Sequence, residues 1–181
     1  SRRDPAYVAR AKATQALEQA RAAGELPPAL QAALAGLGLS GCDANTLQLG
    51  SVVFANKPGD GSAREQAASC QRVLGGCANI CYEFATKRYR SNCVNWGMLP
   101  FTLDKDAAFT AAPGEFVYVP DVRRKLAAGD ERFPARVLHA DGREEALTLY
   151  LKNTSAEERE LLLCGCLMNH YAAQRKENRH G

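Results

Sequence analysis

Seven consecutive residues, Gly59-Asp60-Gly61-Ser62-Ala63-Arg64-Glu65, hold the chain's clearest chemistry. Two glycines let backbone approach a ligand closely, and a helix starting behind them would present unpaired N–H groups and a positive dipole end. An anionic group suits that place. Arg64, in the first turn, can fork onto a carboxylate with two parallel hydrogen bonds. Ser62, at the tip, offers a hydroxyl or, if a strong local field removes its proton, an alkoxide base. The same residues also suit a helix cap, with Gly and Ser chosen for turn geometry alone, and spacing by itself favours the cap. The segment is not a nucleotide phosphate loop, because no Lys-Ser or Lys-Thr follows the second glycine. It is not a nucleophile elbow either, since the G-x-S-x-G order is absent.

The flanking elements would place this loop between a strand and a helix. Leu47 to Asn56 reads as a buried strand, and a helix is expected from about Ser62 to Leu74, broken by Gly75-Gly76. Ala78 to Phe84 is a second strand, followed by a short helix from Ala85 to about Asn92, with Gly97 and Pro100 closing the segment. Phe116 to Val119 is a strand. Arg136 to His139 and Ala146 to Leu151 form a hairpin turned at Ala140-Asp141-Gly142. Ser155 with Glu158 makes a capping box for a last helix expected to reach about Asn178. Upstream, Asp4 caps a helix with Pro5 at its first position and an apolar stripe at Tyr7, Val8, Ala11 and Leu17, ended by Gly24. Pro27-Pro28 opens a second helix through Leu34 to Leu37. Strand, glycine loop, helix, strand is a βαβ signature, so the expected class is α/β with mixed strands. The division is a helical segment over 1–40 and one domain over 41–181.

Other chemically suggestive residues read more simply. Cys70, Cys77, Cys81 and Cys93 lack the spacing of common zinc sites or ferredoxins, and packed thiols are expected. Cys164 and Cys166 are two apart on a helix and point in different directions. His139, His170 and His180 form no constellation, so no metal ligands are assigned. Lys87, Arg88 and Arg90 read as a solvated helix face, and Trp96 as a packing residue. Asn56 and Lys57 border the glycine loop.

Composition limits the remaining classes. Of 181 residues, 46% are apolar and 24% charged, with a net charge of +3, as in an ordinary globular domain. The basic residues are scattered, which argues against a dedicated nucleic-acid binder. No apolar run approaches the ~20 residues needed to span a bilayer. Seven cysteines without a secretion signal point to a reducing, cytoplasmic compartment. Ser1 in place of Met is read as the start of an excised piece.

Gly59 to Ala68 resembles the G-x-G-S-S-R-E-H-A segment of the aconitase and isopropylmalate isomerase swivel domain. Leu74-Gly75-Gly76 to Phe84-Ala85 is similar to that family's L-G-G-x-A-I…F-A stretch. Arg90-Ser91-Asn92 to Pro100-Phe101 resembles its N-x-x-x-x-G-x-L-P-L stretch. Val137 to Gly142 is similar to its closing hairpin. The likeness covers roughly Val52 to Tyr171 and leaves the first forty residues unmatched. It implies an aconitase-type swivelling β/β/α domain that closes over a [4Fe-4S] cluster held by three cysteines of other domains. By the same resemblance Ser62 is the base that removes and returns a proton beside a substrate carboxylate. Arg64 binds a carboxylate, and Gly61 and Ala63 line the substrate. The expected activity is that of a hydro-lyase or isomerase acting on a hydroxylated di- or tricarboxylic acid, with the cluster-bearing domains as partners. The chain departs from the family at Ala63, usually a second serine, and at Gln66, usually histidine. The family's T-T-D-x-I-x-P-A-G region is absent, as expected of a piece of a longer enzyme. A free-standing small subunit and a non-catalytic RNA- or partner-binding module are the alternatives.

Overall fold

A computed structural model describes residues 4–170. The parallel half of the sheet comes first in the chain. β1 (Ser51–Ala55), α3 (Arg64–Val73), β2 (Gly76–Cys81), α4 (Lys87–Asn95) and β3 (Leu99–Thr102) are two successive βαβ units. They follow α1 (Tyr7–Ala22), α2 (Pro28–Gly36) and a 3₁₀ turn over Ala44–Thr46. The second half is antiparallel: β4 (Phe116–Tyr118), α5 (Val122–Ala128), β5 (Arg132–Leu138) and β6 (Glu144–Tyr150), closed by α6 (Ala156–Cys164). The six strands form one sheet in the order β1-β2-β3-β6-β5-β4. The two halves meet where β3 pairs with β6 at Thr102 and Tyr150.

The α/β class and the hairpin turned at 140–142 are as expected, and so is the capping box. Ser155 accepts from the Glu158 N–H while the Glu158 carboxylate accepts from the Ser155 N–H. Boundaries differ in instructive ways. The first helix begins at Tyr7, after Ala6, because Asp4 uses its carboxylate on Arg10 and not as a cap. Residues 47–50 precede β1 instead of extending it. Leu99–Thr102 is a strand that Pro100 disguises; proline is tolerated near a strand's beginning. α5 was not expected at all. The last helix stops at Cys164, where Gly165 turns left-handed (φ 88°) and takes up the helix's final carbonyls. The stretch expected to continue it to Asn178 lies partly outside the described residues.

The main core fills the sheet with Ile80, Phe101, Phe133, Val137, Leu149 and Leu151, closed by Leu161 and Leu162 of α6. Alternation in β5 is clear: Phe133, Ala135 and Val137 are buried, while Arg132 and Pro134 are exposed. A smaller cluster joins α3 to α4 through Ala68, Tyr89, Cys93 and Met98. α2 packs Ala33 and Leu37 on Leu138 at the end of β5. Arg90 belongs to this framework and not to a solvated face. It forks onto Glu158 of α6 at 2.7 and 3.2 Å and donates to Thr154 at 2.9 Å. Lys87 and Arg88 are exposed, as expected.

Candidate functional site

The glycine loop leaves the carboxyl end of β1, where open α/β sheets place their ligands. It is laced to the segment leaving β2. The N–H groups of Tyr82 and Glu83 donate to the Asn56 carbonyl at 3.2 and 3.3 Å, and the Ala85 N–H donates to Pro58 at 2.9 Å. Lys57 pairs with Glu83, and its hydrogen bond and charge hold the Glu83 carboxyl below the usual carboxylate range. The Gly59 carbonyl is a shared acceptor, taking the Thr86 hydroxyl at 3.0 Å and Arg64 Nε at 3.2 Å. Only glycine fits here. Its φ is +96°, and a Cβ would lie 2.4 Å from that of Tyr89.

Tyr89 ties the loop to a buried polar ring. Asn79 of β2 donates to Gln71 of α3 at 3.0 Å and to the Cys93 sulfur at 3.4 Å, and Gln71 donates to the Tyr89 hydroxyl at 3.1 Å. Burial pushes the Tyr89 phenol and the Cys93 thiol each up to about 12, so both stay neutral at physiological pH. Thr86 caps α4 by accepting from the Tyr89 N–H at 3.3 Å. The floor under the loop is therefore rigid and uncharged.

Above this floor the tip is open. Gly61, Ser62 and Ala63 are exposed and Arg64 is half-buried. Among the described residues the Ser62 hydroxyl has no hydrogen-bond partner, and Arg64 bonds to protein only through Nε. The N-cap of α3 is Ala63, which offers no side-chain bond. Ser62 is thus not the cap of this helix. That function comes from Asn92 of α4. With its amide oxygen facing the donor, Asn92 accepts from the Glu65 N–H at 3.1 Å and donates to Glu65 Oε2 at 3.1 Å and the Arg88 carbonyl at 3.2 Å. The other Glu65 oxygen takes the indole N–H of Trp96 at 2.5 Å.

Sequence reading chose Gly61, Ser62, Ala63 and Arg64, and these stand together at the tip. It missed the supports: Thr86, Tyr89, Gln71, Asn92 and the hydrogen-bonding role of Trp96. One signal was present, since Asn92 and Trp96 are four apart and so lie on one side of α4.

Burial raises the thiol of Cys77 to about 11 and that of Cys81 to about 12, so both are neutral at physiological pH. Cys42 lies in the segment before the 3₁₀ turn, and Cys70 on α3 is exposed, not packed as expected. Among the described residues no group of three or more His, Cys, Asp or Glu could hold a metal ion. His139 sits in a constellation that its sequence context did not reveal. It is buried with Nδ1 2.9 Å from Glu115 and Nε2 3.4 Å from Glu145. No helix among the described residues is long and apolar enough to cross a membrane.

No curated protein matches the chain. Residues 45–106, about a third of the chain, match the family model of the aconitase C-terminal domain. That stretch runs from the 3₁₀ turn through β1, the glycine loop, α3, β2 and α4 to the end of β3, so the candidate site and its supports lie within the part of this chain that is similar to an aconitase C-terminal domain.

Proposed function

We propose that this chain is the swivel domain of an aconitase-like hydro-lyase and contributes Ser62 as a base and Arg64 as a carboxylate-binding group. The observation that carries the reading is the unpartnered, exposed Ser62 hydroxyl in front of a helix whose capping comes from Asn92. A serine kept for turn geometry would bond to the helix behind it. Here that bond is absent, Ser62 is exposed, and Arg64, two residues on, keeps its terminal amines free of protein hydrogen bonds.

The chemistry of these residues is coherent. Arg64 grips a substrate carboxylate through those amines and so places the adjacent carbon near Ser62. The guanidinium charge and the positive end of α3 both favour an anionic Ser62 oxygen, lowering the cost of its acting as a base. Ser62 takes the proton from the carbon beside the carboxylate and returns it in the reverse reaction. Gly61 and Ala63 leave their backbone open to the substrate. Ala63 contributes no hydroxyl, so one donor of the usual pair is absent from this face. The substrate is a hydroxylated di- or tricarboxylic acid. A [4Fe-4S] cluster belongs to other domains on this reading, as the resemblance to the aconitase family implies. Those domains complete the site, and the seven free cysteines agree with a cytoplasmic setting.

Kinetics of the complete, cluster-loaded enzyme test this. Ser62→Ala is expected to lower kcat by ~10²–10⁴ with little change in KM, since general-base loss acts on the transition state. Arg64→Lys keeps charge but loses the planar fork, and KM should rise roughly tenfold or more. Normal turnover by Ser62→Ala would refute the reading.

A further inference from the structure

The first turn of α3 carries Arg64, but nothing in that turn's own sequence fixes it. Ala63 gives no cap, Gln66 and Ala67 are exposed, and Ala68 is the first fully buried residue of the helix. Position comes instead from α4, through one residue. Glu65 is exposed, yet it is held at three points: its N–H by Asn92 (3.1 Å), one carboxylate oxygen by Asn92 (3.1 Å) and the other by the Trp96 indole (2.5 Å). Such a grip on a surface carboxylate has to overcome the entropy of ordering three side chains. Its neighbour Arg64 is held by a single bond, Nε to the Gly59 carbonyl at 3.2 Å, and that bond decides which way the free amines point.

We propose that Glu65 is a positioning residue for Arg64: gripped by Trp96 and Asn92, it fixes the first turn of α3 against α4 and so presents the guanidinium to the open face of the glycine loop. This rests on the carboxylate-binding reading of Arg64 and deepens it. The negative charge in the first turn also complements the helix dipole without approaching the substrate side. A plain staple between α3 and α4 would use the same bonds but would change only stability.

Two readouts separate these roles. Trp96 is the only tryptophan, so its indole N–H gives one unambiguous proton–nitrogen NMR resonance in this chain. In Glu65→Ala that resonance should move, and the Arg64 Nε–H should lose its protection against solvent exchange while the other amide signals stay dispersed. In the complete enzyme Glu65→Ala should raise KM by roughly tenfold to a hundredfold, as misplacement of a positioning group does, with a smaller change in kcat. Trp96→Phe should raise KM less. Both effects should vanish in an Arg64→Ala background, because the residues act in series. Unchanged Arg64 Nε–H protection, or a KM effect that persists fully without Arg64, would overturn the proposal. If Arg64→Ala raises KM and Glu65→Ala does not, positioning alone falls. If Arg64→Ala leaves KM unchanged, carboxylate binding falls and this inference with it. Should Glu65→Ala fail to fold, Trp96→Phe carries the same decision.

Discussion

The glycine loop after β1 and the hairpin turn after β5 follow strands that run in the same sense, and both are built around glycine. They treat their polar groups in opposite ways. In the hairpin turn the backbone N–H groups are satisfied within the fold, while the buried Nε2 of His139 is left without a hydrogen bond. His139 N–H donates to Arg143 (2.9 Å), Gly142 N–H to His139 (3.0 Å), Arg143 N–H to Asp141 (2.9 Å) and Ala140 N–H to Glu115 (2.9 Å). The glycine loop is equally well anchored at its base, through Asn56, Pro58 and Gly59. Its tip is not: Ser62 has no bond and Arg64 has one. A turn that satisfies its backbone N–H groups internally serves the fold, whereas an anchored base under an exposed, unbonded serine keeps groups available for a ligand.

Glycine substitutions probe that contrast most strongly. Gly59→Ala combines a φ of +96° with a Cβ 2.4 Å from that of Tyr89. It should cost on the order of 2–3 kcal/mol, read as a drop in Tm of roughly 5–10 °C, because the rigid base cannot yield. Gly142→Ala meets open space and only the strain of φ +83°. About 1 kcal/mol is expected there. Equal losses in the two variants would mean the base of the glycine loop is no more rigid than the hairpin.

Glu115→Gln should have the smallest effect at neutral pH and the most informative pH dependence. Hydrogen bonds from Ala140 and Ala112 N–H, then the His139 contact, hold the Glu115 carboxyl below its usual range. A depressed carboxyl contributes stability that is present above its unfolded pKa and lost as pH falls through the folded one. The gap in Tm between wild type and Glu115→Gln should therefore be widest near neutrality and close as pH drops below about 4. A gap that stays constant through acid would show that the carboxylate charge is not what holds the turn.

How much of this was legible beforehand follows from the range of the interactions. The βαβ half could be read because its signals are local: β-branched and aromatic runs, a glycine loop and a helix break at Gly75-Gly76. The 155–158 capping box and the Asp141-Gly142 turn are local too. β3 was missed because a four-residue strand containing Pro100 owes its existence to β2 beside it. α5 is seven residues with three basic side chains and one buried leucine, too short to show a period. The site divides in the same manner. Residue type singles out Ser62 and Arg64, but spacing alone favours a helix cap, and their proposed roles come from the family resemblance. Asn92, Trp96 and Tyr89 support the loop from 18 to 31 residues away in sequence, as the Gln71–Tyr89 and Glu65–Trp96 bonds show. His139 acquires its role from Glu115, 24 residues before it.

On the proposed reading the open Ser62 hydroxyl moves the substrate proton, and isotope exchange tests this without relying on net turnover. The complete enzyme would be incubated in deuterium oxide with its hydroxy-acid substrate, and deuterium entering the carbon beside the carboxylate would be followed by NMR. The wild-type enzyme should exchange that proton. Ser62→Ala should lose exchange by ~10²–10⁴-fold. Its stability should stay within about 0.5 kcal/mol of wild type, because the hydroxyl bonds to nothing in the fold. Undiminished exchange in a Ser62→Ala enzyme that still binds substrate would contradict the account.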